Sequence, residues 1–175
     1  YMLETLVSLI FSTDFFASSI RLATPLLLAA MGDIVSERSG VLNMGLDGMM
    51  LLGAFFGFVG AYFTENVWIG VLCAMLSALI LGIIHAFSCV SLGLNQVVTA
   101  TGINMLALGL SSSLLRTFFG TSTNALRSVG FTPAKIPLLG DIPVLGKIFF
   151  QQTLLVYIAL ALVPITYYVF FHTTW

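Results

Sequence analysis

VWIGVLCAMLSALILGIIHAFSCV, residues Val67 to Val90, contains no charged side chain. At about 1.5 Å of rise per residue, a helix of this length outreaches a hydrocarbon layer roughly 30 Å thick. The uncharged run extends to both sides, from Asn66 to Leu115, 50 residues in all. That is room for two membrane crossings. A second uncharged run, Ile148 to Trp175, covers 28 residues and holds one more. Over the whole chain only 7% of residues are charged and 59% are hydrophobic. A soluble domain carries about 25% charged residues, so six basic and seven acidic side chains cannot coat a water-facing surface of this size.

Working outward, five apolar segments emerge: Phe15 to Met31, Val41 to Phe63, Val67 to Val90, Val97 to Leu115 and Thr153 to Phe171. In lipid the backbone must satisfy its own hydrogen bonds, which favours helices, and the ten-residue apolar/polar alternation of a membrane barrel is absent. The fold class expected is therefore all-α: a polytopic transmembrane helix bundle of about five spans, plus a broken or re-entrant segment. Thr64-Glu65-Asn66 reads as a tight polar turn, flanked by Tyr62, Phe63 and Trp68 as at a membrane interface. Ser91 to Gln96 divides the long uncharged run. Pro25 and Pro164 lie inside spans, where they are tolerated and mark expected kinks.

Two regions are not simple spans. Gly32 to Asp47 is polar and glycine-rich. Phe119 to Gln152 holds three of the five prolines and an apolar patch, Ile142 to Phe150, suited to lying against a membrane face. Both chain ends look cut, because residue 1 is Tyr and Trp175 follows an apolar span without a polar tail. The chain is thus expected to be part of a longer protein.

Chemistry concentrates in Ser36-Glu-Arg-Ser-Gly-Val-Leu-Asn-Met-Gly-Leu-Asp-Gly48. Asn43 and Asp47 share a face if helical, and Gly40, Gly45 and Gly48 permit breaks or close backbone approach. Polar, broken backbone at membrane depth is tolerated where it is buried in protein or lines a cavity, and such breaks build transporter sites. The other reading is a solvated loop followed by a helix N-terminus, with Asp47 favoured by the dipole. A second cluster, Asn95, Gln96, Thr99, Thr101 and Asn104, offers uncharged donors and acceptors suited to a polyol or a base edge, or to interhelical hydrogen bonds. Gly53, Gly57 and Gly60 have small-residue packing spacing. His85 reads as structural, and Arg21 as snorkelling or paired with Asp14. Cys73 and Cys89 read as free buried thiols. The net charge of −1 gives no footing for nucleic acid. No phosphate loop, metal-ligand spacing or catalytic triad is present, so no catalytic, cofactor-binding or metal residue is assigned. The chain is expected to be a transport subunit, not an enzyme.

Leu22-Ala-Thr-Pro-Leu-Leu-Leu-Ala-Ala30, the block Ser36 to Ala54, Gly93-Leu-Asn-Gln-Val-Val-Thr99, Asn104 to Leu110, and Ile136 to Gly146 closely resemble bacterial ABC permeases of the nucleoside/simple-sugar branch, relatives of the ribose and branched-chain amino-acid permeases. The resemblance implies that residues 1–175 are the N-terminal portion of one transmembrane permease domain whose C-terminal part is missing. It implies an ATP-driven importer of nucleosides in the bacterial cytoplasmic membrane, multi-pass in lipid. Its expected partners are a second permease subunit, a cytoplasmic ABC ATPase holding ATP and Mg, and an extracytoplasmic binding protein or lipoprotein. A monosaccharide such as ribose is the alternative cargo, and a passive channel the alternative class. The positive-inside rule would place the loop Arg116 to Lys147 in the cytoplasm; the resemblance places it outside, with Trp175 near the inner face, and is followed here. Glu37, Asn43 and Asp47 are expected to border the solute path, with Asn95, Thr99 and Asn104 across from them. Replacing Asn43 or Asn104 by Leu is expected to abolish uptake while leaving assembly intact.

Overall fold

A computed structural model describes residues 13–120, 127–132, 134–135 and 151–172. Five helices carry the described chain: α1 (Thr13–Arg38), α2 (Leu46–Thr64), α3 (Val67–Ala86), α4 (Gln96–Phe119) and α5 (Leu154–His172). A π-helical turn, Phe87–Ser91, continues α3. All five are long and apolar enough to cross a membrane. The fold is that of a polytopic helical membrane protein, as expected. α1 and α5 run on through Pro25 and Pro164. The apolar patch Ile142 to Phe150 and the terminal Trp175 lie outside the described residues.

Two boundaries differ from expectation. α1 does not stop near Met31 but continues through Gly32 to Arg38, and α2 starts at Leu46 rather than Val41. The non-helical break is therefore only Ser39 to Gly45. Its start is a Schellman cap. Gly40 takes φ +85°, Val41 N–H donates to Ser36 O (3.2 Å), and Gly40 N–H donates to Glu37 O (3.0 Å). Glycine adopts that left-handed conformation without a Cβ penalty, and the two bonds satisfy carbonyls that a helix end would orphan. Arg38 in the last turn complements the helix dipole.

The described chain divides into two compact units. One comprises residues 32–130, the other residues 1–31 and 131–175.

In the first unit α2 packs closely on both α3 and α4. α2 and α3 form an antiparallel hairpin turned at Glu65 (φ 52°) and Asn66, whose Oδ1 accepts from Trp68 N–H. The hairpin is close because its facing residues are small. A Cβ added to Gly70 would lie 2.7 Å from Gly57 O and 2.8 Å from Ala61 Cβ. One added to Gly60 would meet Cys73 Sγ at 2.9 Å, and one on Gly57 would meet Ala74 Cβ at 3.1 Å. Such approach is how membrane helices gain van der Waals contact without a hydrophobic driving force. α4 returns parallel to α2. At one end Gly48 sits on Asn104 and Ala107. At the other, Phe58, Tyr62 and Phe63 pack against Phe118 and Phe119, Tyr62 meeting Phe119 edge to face at 5.1 Å and Phe63 stacking on Phe119. Met49, Leu52, Leu81, Ile103 and Ala107 make the core between them.

In the other unit a two-residue antiparallel pair, β1 (Ala134–Lys135) and β2 (Gln151–Gln152), was not expected from sequence. Fully buried Gln152 donates from Nε2 to Ala17 O (3.4 Å) and accepts from Arg21 Nε at Oε1 (2.8 Å). Arg21 Nη2 donates to Gln151 O (3.2 Å). Arg21 is thus held by these glutamines, so the Asp14 alternative is not the contact it makes, while its exposed position leaves the snorkelling alternative in place.

Candidate functional site

The break between α1 and α2 has backbone groups that no helix satisfies, and at membrane depth each would cost several kcal/mol if left bare. Side chains of three other segments meet them. Gln96, in the first turn of α4, accepts from Leu42 N–H at Oε1 (2.9 Å) and donates from Nε2 to Gly40 O (3.4 Å). Ser36 Oγ donates to Val41 O (2.9 Å). His85 Nε2 lies 3.4 Å from Leu42 O; because a carbonyl only accepts, this contact requires the Nε2–H tautomer. Asn104 Nδ2 donates to Met44 O (3.1 Å), and its Oδ1 accepts from Gly48 N–H (2.8 Å), one of the orphan donors of α2. The connector from Gly40 to Gly48 is seated on α3 and α4.

The six residues singled out in sequence fall into three kinds. Asn104 and Asn43 lie at this junction, Asn104 fully committed to backbone. Asn95 caps α4, its Oδ1 accepting from Val97 N–H (3.0 Å) and Val98 N–H (3.3 Å). Thr99 Oγ1 donates to Asn95 O (3.0 Å) within the same turn. Glu37 and Asp47 are exposed, on the last turn of α1 and the first turn of α2 respectively. Asn43 is half-buried. Its Nδ2 makes a long contact to Met49 Sδ (3.8 Å), while Oδ1 is shielded and has no partner. A shielded acceptor left unpaired costs about 1–3 kcal/mol. Asp33 Oδ1 is in the same state.

Gln96 is the contributor that the sequence reading passed over as one polar residue among five. The signal was there: an amide directly after an N-cap Asn points back over the helix start. His85 is buried, bonded to the connector, and 3.7 Å by Nε2 from Cys89 Sγ in the π turn. In that place it braces the connector at Leu42 O. Both cysteines are free.

A second polar feature went unread. Gly109, Ser112, Ser113, Arg116 and Thr117 recur at helical spacing on one face of α4 and line an open cavity of about 470 Å³. Ser112 Oγ bonds back to Leu108 O (2.7 Å) and Thr117 Oγ1 to Ser113 O (3.0 Å), a common way for hydroxyls to satisfy themselves in membrane helices.

The family model described as "Branched-chain amino acid transport system / permease component" matches residues 15–175. Among curated proteins, the chain is 37% identical over 162 residues to a Haloferax volcanii protein carrying the provisional name of glucose ABC transporter permease TsgC13, covering 90% of this chain and 48% of that protein. It is 39% identical over 158 residues to the guanosine ABC transporter permease NupQ of Bacillus subtilis, covering 86% and 50%. It is 33% identical over 165 residues to the nucleoside ABC transporter permease NupC of Lactococcus lactis, covering 90% and 51%. The chain thus spans about half the length of these relatives. No solved structure matches it.

Proposed function

The chain belongs to the branched-chain amino acid transport system permease family, and from that premise we propose that it forms part of the membrane-spanning permease of an ATP-driven importer that carries nucleosides across the cytoplasmic membrane. The observation that carries this reading is the seated connector. Non-helical backbone between two membrane-length helices, held by side chains of α3 and α4, supports a solute route, because broken backbone of this kind builds transporter sites. Two relatives named for guanosine and nucleosides favour the cargo. Glu37, Asn43 and Asp47 border the route, and Asn95, Thr99 and Asn104 stand on its other bank, anchoring as well as facing it. The uncharged amide of Asn43 and the hydroxyls and amides beside it suit a neutral solute, which needs no counter-ion.

The work comes from elsewhere. A cytoplasmic ATPase binds ATP and Mg, a second permease subunit completes the pathway, and an extracytoplasmic binding protein delivers the solute. This chain holds no cofactor of its own in that scheme. A monosaccharide is the second reading, favoured by the name of the Haloferax relative.

The test is uptake of labelled guanosine by cells with and without the gene for this permease. Loss of uptake on deletion, competition by unlabelled nucleosides but not by ribose or glucose, and arrest on ATP depletion are the expected results. Competition by the sugars alone would replace the nucleoside reading with the sugar one. Uptake that survives ATP depletion would make the protein a passive facilitator.

A further inference from the structure

Four amide side chains gather where α1, α2 and α4 begin or end: Asn43, Asn95, Gln96 and Asn104. The carbonyl oxygens of three are spent on backbone. Asn95 Oδ1 caps α4, Gln96 Oε1 holds Leu42 N–H, and Asn104 Oδ1 holds Gly48 N–H. Asn43 Oδ1 is the exception, shielded and unpaired. Its orientation is set on both sides. Asn43 Nδ2 is turned to Met49 Sδ, and the residue before it, Leu42, is held at N–H by Gln96 and at C=O by His85. Gly45 packs beside the oxygen, where an added Cβ would be in ordinary contact with it (3.6 Å), with Ala100 Cα (3.6 Å) and with Ile103 Cγ2 (3.7 Å).

We propose that Asn43 Oδ1 is the atom that reads the solute, and that Gln96 is a positioning residue that aims it. The inference rests on the importer reading above and deepens it by naming the chemistry recognised. An acceptor that lacks a donor in the empty protein selects a solute presenting O–H or N–H at that point. Gln96 does not touch the solute. Its amide grips the connector as a neighbouring strand would, at one N–H and one C=O, and so holds the next side chain in one direction. Because the oxygen is shielded in this arrangement, the solute meets it when the route opens, and the bond forms only in the loaded state.

The experiment uses the complete transporter in proteoliposomes. Uptake is measured for guanosine, its 2′-deoxy, 3′-deoxy and 5′-deoxy forms, and inosine, each analogue lacking one donor group. Glucose and its single-deoxy forms make a parallel series. For the unaltered transporter, one analogue is expected to show a KM about tenfold above its parent, the cost of one lost hydrogen bond. In Asn43→Leu that ratio falls to about one, while the ratios for the other analogues persist. The ratio compares two solutes on one preparation, so it does not depend on how much protein assembles. Gln96→Met is expected to raise KM for the parent several-fold and to blunt the same ratio with little change in kcat per assembled complex. Gln96→Glu keeps the shorter grip on Leu42 N–H and falls between. A merely structural Gln96 would lower the amount of transporter and leave the ratio alone.

An unchanged analogue ratio in Asn43→Leu overturns the assignment of Oδ1 even if uptake declines. An unchanged ratio in both Gln96 variants overturns the positioning role. If the unaltered transporter carries neither series, it is the importer reading that fails, and the inference goes with it.

Discussion

Asn104 serves two backbone groups of the connector at once, accepting from Gly48 N–H and donating to Met44 O. Leucine at this position would leave both without partners, at about 1–3 kcal/mol each. Asn104→Leu is therefore expected to lower the unfolding midpoint in detergent as well as to abolish uptake, which revises the expectation that assembly would survive the change. Asn104→Asp keeps the acceptor and should retain part of both. A thermal melt of the two variants beside uptake checks this; equal melting of Asn104→Leu and the unaltered protein would remove the clamp. The polar residues of this site were visible in sequence, but their partners were not. Gln96 and Leu42 lie 54 residues apart, and Asn104 and Met44 lie 60 apart. No local periodicity encodes such pairs. Besides the amide after the N-cap at Gln96, a local signal that was misread is Gly40. A basic last turn followed by glycine is a helix stop, yet the charges at Asp33, Glu37 and Arg38 made the preceding helical turns look like loop. They remain helical because a capped helix end satisfies its own backbone whatever its side chains prefer.

Hydropathy alone placed the spans to within a turn or so at most of their ends. α3, with mean window hydropathy 2.6, has no competing reading. The α2–α3 turn was equally legible, since Glu65 and Asn66 are the polar interruption and Asn66 is a side-chain cap. Small-residue spacing also translated into contact: Gly57 and Gly60 meet Gly70, Cys73 and Ala74. That interface predicts a sharp contrast between two glycines of the same helix. Gly70→Val forces apart backbones already at contact, and overpacking of this kind costs typically about 1–3 kcal/mol. Gly82→Ala meets nothing within 4 Å and should leave stability unchanged or slightly raised through helix propensity. Unfolding midpoints in detergent compare the two directly. Equal midpoints would mean that the α2–α3 interface is looser than its geometry. The β1–β2 pair and the buried Gln152 had no such signal, because two-residue strands carry no alternation to detect.

Among the described residues most of the large apolar side chains lie on the surface. Leu72, Leu76, Ile80 and Ile83 on α3 are all more than half exposed. In water such a surface would drive aggregation; against lipid tails it is at no disadvantage. The chain is accordingly expected to stay in the pellet when membranes are washed at alkaline pH and to leave it only with detergent. Release by the wash would contradict membrane spanning by these helices.

The parallel return of α4 onto α2 sets an order of events during synthesis. The α2–α3 hairpin can close as soon as both strokes have left the ribosome, since its partners are near neighbours in the chain. The seat beneath Leu42 and Gly48 cannot exist until Gln96 and Asn104 have been made, 54 and 56 residues later. Until then the peptide groups of the connector must be shielded by the insertion machinery or by water at the bilayer rim. A nascent chain halted before residue 96 would hold a finished hairpin with an unshielded entrance.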